Sequence, residues 1–162
     1  MIITKNGYGL RFNIEEVPVV GAKAAGVKAI NLKDGDQVAA AFKSTTQSMY
    51  ILTQRGSLKR MSQDDIPVTS RAKRGLQVLR ELKNKPHRVF KAGPVFTDQG
   101  DFDLFTSQEE VGEQDQILAI TSTTGQVTEV DLTQLSISER TSNGSFVNDT
   151  ISDQEVFSAT IK

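Results

Sequence analysis

The chain of 162 residues is the size of one ordinary domain, and 37% hydrophobic with 24% charged residues mark it as globular rather than disordered. It contains no cysteine and one histidine, which excludes disulfides and thiolate metal sites and fits a reducing cytoplasm. The net charge of −1 conceals an uneven distribution: Met1 to Pro94 holds 17 Lys and Arg against 7 Asp and Glu, whereas Val95 to Lys162 holds 2 against 13. No apolar run approaches the roughly 18 residues that span a bilayer, and no signal-peptide pattern opens the chain, so no membrane partner is expected.

In chain order, the segment MIITKNGYGLRF places two short apolar runs around a turn at Gly7, which is hairpin chemistry. The following AKAAGVKAI is the best helical candidate, but its central Gly26 and β-branched residues weaken it. A second hairpin pattern, YILTQRGSLKRM, surrounds Gly56 and leads to a basic loop, SRAKRG, ending at Gly75. An acidic stretch follows from about residue 95 to 115, and a third hairpin pattern, AITSTTGQVTEV, surrounds Gly125.

These segments are copies of one repeat. Gly26, Gly75 and Gly144 each lie 19 residues after Gly7, Gly56 and Gly125. Thr4, Thr53 and Ser122 stand three before the first glycine; Phe12, Met61 and Val130 stand five after it, and Val17, Ile66 and Leu135 ten after it. Val38 and Val156 share a later position at which the second copy has His87. The spacing is 49 residues between the first two copies and 69 between the next two, so the acidic stretch reads as an insert. Repeats of this size with about four short strands predict an all-β, propeller-like fold with blades over about 1–48, 49–94 and 116–162. Three such blades do not close a ring.

TKNGYGLRFNIEEVPVVGAKAAGVKAINLKDGDQV and TQRGSLKRMSQDDIPVTSRAKRGLQVL share Thr-x-x-Gly-x-x-x-Arg, an acidic stretch, then a basic loop ending in Gly. This pattern resembles the C-terminal domain of bacterial gyrase and topoisomerase IV A subunits, type IIA topoisomerases. It covers the first two repeats well and the third weakly, where Glu129 replaces Arg11 and Arg60. The resemblance implies a β-pinwheel that binds and bends duplex DNA along its outer edge without regard to sequence. It further implies that the remainder of the A subunit, together with a B subunit, partners the domain, that its location is cytoplasmic and nucleoid-associated, and that catalytic residues lie in other domains. The gyrase signature of Gln, two Arg, two Gly, Lys and Gly is absent, which places the resemblance nearer topoisomerase IV. A gyrase wrapping domain and a propeller-like protein-interaction module remain the alternatives.

Nonspecific DNA binding needs Lys and Arg clustered on one edge to neutralise phosphates. Arg55, Lys59 and Arg60 on the second hairpin, Arg71, Lys73 and Arg74 on the basic loop, and Lys23 and Lys28 on the matching loop of the first repeat are the expected contacts. Arg11 and Arg60, sharing a repeat position, could instead be structural, each pairing with an acidic residue of a neighbouring blade. No catalytic group, cofactor or metal is expected: His87 lacks a triad partner, GAKAAGVKA lacks the Gly-Lys-Ser/Thr ending of a phosphate loop, and DQGDFD fits no calcium-loop register.

Overall fold

The computed structural model describes residues 1–97, 116–148 and 155–162; residues 98–115 of the acidic insert expected at about 95–115, Asp101 and Asp103 among them, lie outside the described residues. Those residues form twelve strands: β1 (Ile2–Thr4), β2 (Tyr8–Phe12), β3 (Val38–Ala41), β4 (Ser48–Thr53), β5 (Ser57–Ser62), β6 (Val68–Thr69), β7 (Leu76–Gln77), β8 (Val89–Val95), β9 (Ile117–Ser122), β10 (Val127–Asp131), β11 (Ser145–Phe146) and β12 (Val156–Ile161). Helix among them is confined to three 3-10 turns, Ile14–Glu16, Gln63–Asp65 and Leu132–Gln134. The all-β expectation holds, and the AKAAGVKAI stretch is irregular.

The repeat signature is a set of hydrogen bonds. Gly7, Gly56 and Gly125 adopt φ of 80°, 78° and 83°, which side chains with a Cβ rarely tolerate. The hydroxyl three residues earlier accepts from the amide after each glycine: Tyr8 to Thr4 at 3.1 Å, Ser57 to Thr53 at 3.2 Å and Gln126 to Ser122 at 3.2 Å. Asn13, Ser62 and Asp131, six after each glycine, cap the 3-10 turns by accepting from the amides of Glu15, Asp64 and Thr133.

Sheets and repeats are offset. In the first sheet, β3, β1 and β2 are antiparallel neighbours, and the outer edge of β2 takes β6 in parallel and β7 antiparallel from the second repeat. The second sheet runs β8, β4, β5, and its outer strand β11 comes from the third repeat. The third sheet, β12, β9 and β10, has no fourth strand among the described residues.

Strand alternation then joins the sheets. From β4, Met49 and Ile51 enter a core with Met1, Ile3, Met61, Ile66, Val78 and Val89, while Tyr50 and Leu52 enter another with Leu58, Val95, Leu118, Ile120 and Val156. All six residues of β4 are buried because their sheet is sandwiched between its neighbours. His87 is buried too: Arg55 Nη1 lies 3.1 Å from Nε2 and Thr53 Oγ1 3.1 Å from Nδ1, so this ring is part of the packing.

Candidate nucleic-acid interface

The segments after the 3-10 turns span residues 17–28, 66–77 and 135–146, and the second and third of them lie against the repeat before. Arg71 Nη1 donates to the Lys28 carbonyl, and Arg140 Nη1 donates to the Gln77 carbonyl at 2.6 Å. Both arginines stand four residues before their glycine, and both carbonyls stand two after the preceding one. Ala72 N to Ala29 O at 2.8 Å and Asn31 N to Lys73 O at 2.9 Å complete the contact between the first two loops. Lys28, Arg71 and Lys73 are thereby gathered together.

The predicted cations divide into two groups. Lys23, Lys28 and Lys73 are exposed, Lys28 Nζ donating to Asn31 Oδ1 at 2.8 Å. Arg71 and Arg74 are half-buried on the same loops. Arg74 stacks over Tyr8 with its guanidinium carbon 4.4 Å from the ring centroid, and its Nη2 donates to the Tyr8 hydroxyl at 2.7 Å. Arg55 sits on the second hairpin tip, donating to the Lys85 carbonyl at 2.6 Å and lying 5.6 Å from the Phe146 ring.

The expectation that Lys59 meets phosphate is corrected. Lys59 is 2% exposed, and its ammonium donates to the carbonyls of Val78 (2.6 Å), Arg140 (2.6 Å) and Ser142 (2.8 Å). It ties the second repeat to the third. Arg60 is also held between repeats, donating to Ser48 Oγ at 2.9 Å and the Thr133 carbonyl at 2.7 Å. Arg11 does the same one repeat earlier, reaching the Gln63 carbonyl at 3.2 Å and Asp64 Oδ1 at 3.0 Å. Arg11 thus meets an acidic residue of the next repeat, whereas Arg60 is held at the same repeat position by a hydroxyl and a backbone carbonyl. The clasp formed by Arg71 and Arg140 was not read from the sequence, although their common offset from glycine was visible there.

Burial pushes the Lys59 amine down from 10.5 to about 7, helped by the nearby Arg140 guanidinium; the three carbonyls oppose this by favouring the ammonium. With the folded pKa below the unfolded one, the unfolded chain binds more protons between them, so the stability contribution rises with pH through that window. Tyr50, raised by burial from 10.0 to about 12, acts in the opposite sense only above its unfolded value. Thermal midpoints between about pH 7 and 9.5 are expected to increase more for the parent chain than for Lys59→Met, which lacks the titrating amine.

The family described as DNA gyrase C-terminal domain, beta-propeller, matches residues 1–45 and 47–95. The chain is 61% identical over 98% of its length to the DNA topoisomerase 4 A subunit of Streptococcus pyogenes serotype M3, and 43% identical over 90% to that of Bacillus subtilis. It spans 20% and 16% of those two proteins. Among solved structures, the C-terminal domain of DNA topoisomerase IV superposes with a TM-score of 0.77 at 33% identity, covering 99% of this chain and 45% of that one. A DNA gyrase A C-terminal domain shares the fold at a TM-score of 0.65 and 19% identity, covering 99% of this chain and 47% of that one. With more than half of its residues matched and its three offset β-sheets superposing on these domains, the chain belongs to the family of DNA gyrase C-terminal, beta-propeller domains.

Proposed function

We propose that this chain is a DNA-binding domain of a topoisomerase IV A subunit, holding duplex DNA through its phosphates and bending it along the edge formed by the basic loops. The contact between the first two loops carries this reading: it brings Lys28 and Lys73 together on an exposed strip flanked by Lys23, Arg71 and Arg74. Lys and Arg arranged in this way release counterions without reading bases, so binding is sequence-tolerant and salt-sensitive. The domain would steer the DNA segment and so the topological preference of an enzyme whose cleavage chemistry resides elsewhere in the A subunit, working with a B subunit. The third repeat has Arg140 tied to the Gln77 carbonyl, so that repeat offers DNA less free positive charge.

Duplex binding measured across a salt series tests the reading. Replacing Lys23, Lys28 and Lys73 together by alanine is expected to flatten the log–log salt slope by up to about 2.7, since each phosphate neutralised contributes about 0.9. Unchanged affinity and slope would displace the DNA edge from these loops. No binding by the parent chain at low salt would favour the interaction-module alternative.

A further inference from the structure

Lys59 stands where the first repeat has Leu10, three residues after the hairpin glycine, and the two side chains meet opposite surroundings. Leu10 packs with Ile2 and Ile30, and the loops of that junction bond directly: the Ala72 amide donates to the Ala29 carbonyl at 2.8 Å and the Asn31 amide to the Lys73 carbonyl at 2.9 Å. At the next junction the corresponding carbonyls, three after Gly75 and two before Gly144, are those of Val78 and Ser142. They receive the Lys59 ammonium instead, at 2.6 and 2.8 Å. The Arg80 amide, counterpart of that of Asn31, turns to Asn143 Oδ1 at 2.8 Å.

The backbone around the ammonium forms a cage. A turn in which the Ser142 amide donates to the Glu139 carbonyl at 3.1 Å brings the carbonyls of Glu139, Arg140 and Ser142 to the point that the Val78 carbonyl reaches from the second repeat. The Val78, Arg140 and Ser142 oxygens lie 2.6, 2.6 and 2.8 Å from Nζ, and the Glu139 oxygen 3.5 Å. Carbonyl oxygens carry partial negative charge and repel one another, so their convergence is favourable only around a cation. An ammonium with three donors meets that need, and so does a bare monovalent ion, since backbone carbonyls can replace the hydration shell of potassium. Among the described residues no carboxylate bonds this ammonium, so the cage balances one positive charge rather than the two of calcium or magnesium.

We propose that the carbonyl cage between the second and third repeats is a monovalent-cation site, filled by the tethered ammonium of Lys59 and able to take ammonium or potassium when that side chain is shortened. Glu139 and Ser142 also line an open groove with Arg80, Ser138 and Asn143, which gives a small ion a way in. A tethered cation cannot be diluted away, so the junction holds in dilute buffer as well as in salt, whereas the proposed phosphate contacts weaken as salt rises.

Urea unfolding of Lys59→Ala in chloride salts at about 0.2 M tests the proposal. For a site Kd on the order of 20 mM, the folding equilibrium constant in ammonium or potassium is expected to exceed that in tetramethylammonium about tenfold. The bulky ion, without N–H donors, does not fit the cage. Neither the parent, whose cage is occupied, nor Lys59→Met, whose side chain fills the space, is expected to show that ratio. A Lys59→Ala chain that is equally unstable in all three salts, or that folds in none of them, overturns the proposal. An equal gain in Lys59→Met or in the parent does so too, because it marks a general effect of the salt. The readout contains no DNA, so its failure is separate from failure of the proposed DNA-binding role.

Discussion

Gly75→Ala is expected to destabilise the protein by about 3–5 kcal/mol, while Gly26→Ala, at the same repeat position, costs about 1–2 kcal/mol in dilute solution. Both glycines hold φ near 85°, at 86° and 84°, so the left-handed strain of a new Cβ is common to the two. The difference is the neighbour. At Gly75 the Cβ would stand 2.3 Å from a backbone carbonyl oxygen of the preceding repeat, and backbone cannot swing aside as a flexible side chain can; at Gly26 nothing lies within 4 Å. Relieving the clash means lifting β7 off β2, with loss of the pairs between Tyr8 and Gln77 and between Gly9 and Leu76. Val78 and Leu79, both buried in the first core, would follow. Urea unfolding of the two variants side by side gives the comparison, and equal losses would mean that the inserted loop contributes little to holding the repeats together.

Lys59→Met is expected to cost about 2–4 kcal/mol near neutral pH, without changing the salt dependence of the proposed DNA binding. The substitution keeps an aliphatic stem of similar length in the core but removes the donor that satisfies the carbonyls of Val78, Arg140 and Ser142. Those acceptors belong to the inserting loops of two successive repeats, so the loss is felt at the junction between the second and third. Part of the cost is returned because an amine pushed down to about 7 by burial no longer has to be accommodated. A loss of stability with an unaltered salt slope distinguishes this internal lysine from Lys73, whose replacement should do the reverse. A flattened slope in Lys59→Met at unchanged stability would return it to the DNA-facing set.

Much of the fold was legible because its local chemistry repeats. Thr4, Thr53 and Ser122 before the hairpin glycines, and the 19-residue step to the second glycine, are visible without coordinates because each is a hydrogen bond or a positive φ that only certain residues satisfy. The candidate site was less legible. Arg55, Lys59 and Arg60 are close in sequence and look like one basic patch, yet on β5 and its turn they point to different surroundings: the hairpin tip, the buried junction and the next repeat's 3-10 turn.

The hairpins, the repeat spacing and the basic character of the first two repeats follow from alternation, turn residues and charge, all of them local in the chain. That the first two sheets complete their outer edges with strands from the following repeat, and that several cations lie between repeats instead of on the surface, emerges from the packing of distant segments. The physical reason is that strand pairing across repeats joins residues far apart in the chain. Whether a lysine meets water or a cluster of carbonyls depends on that pairing, and no local pattern records it.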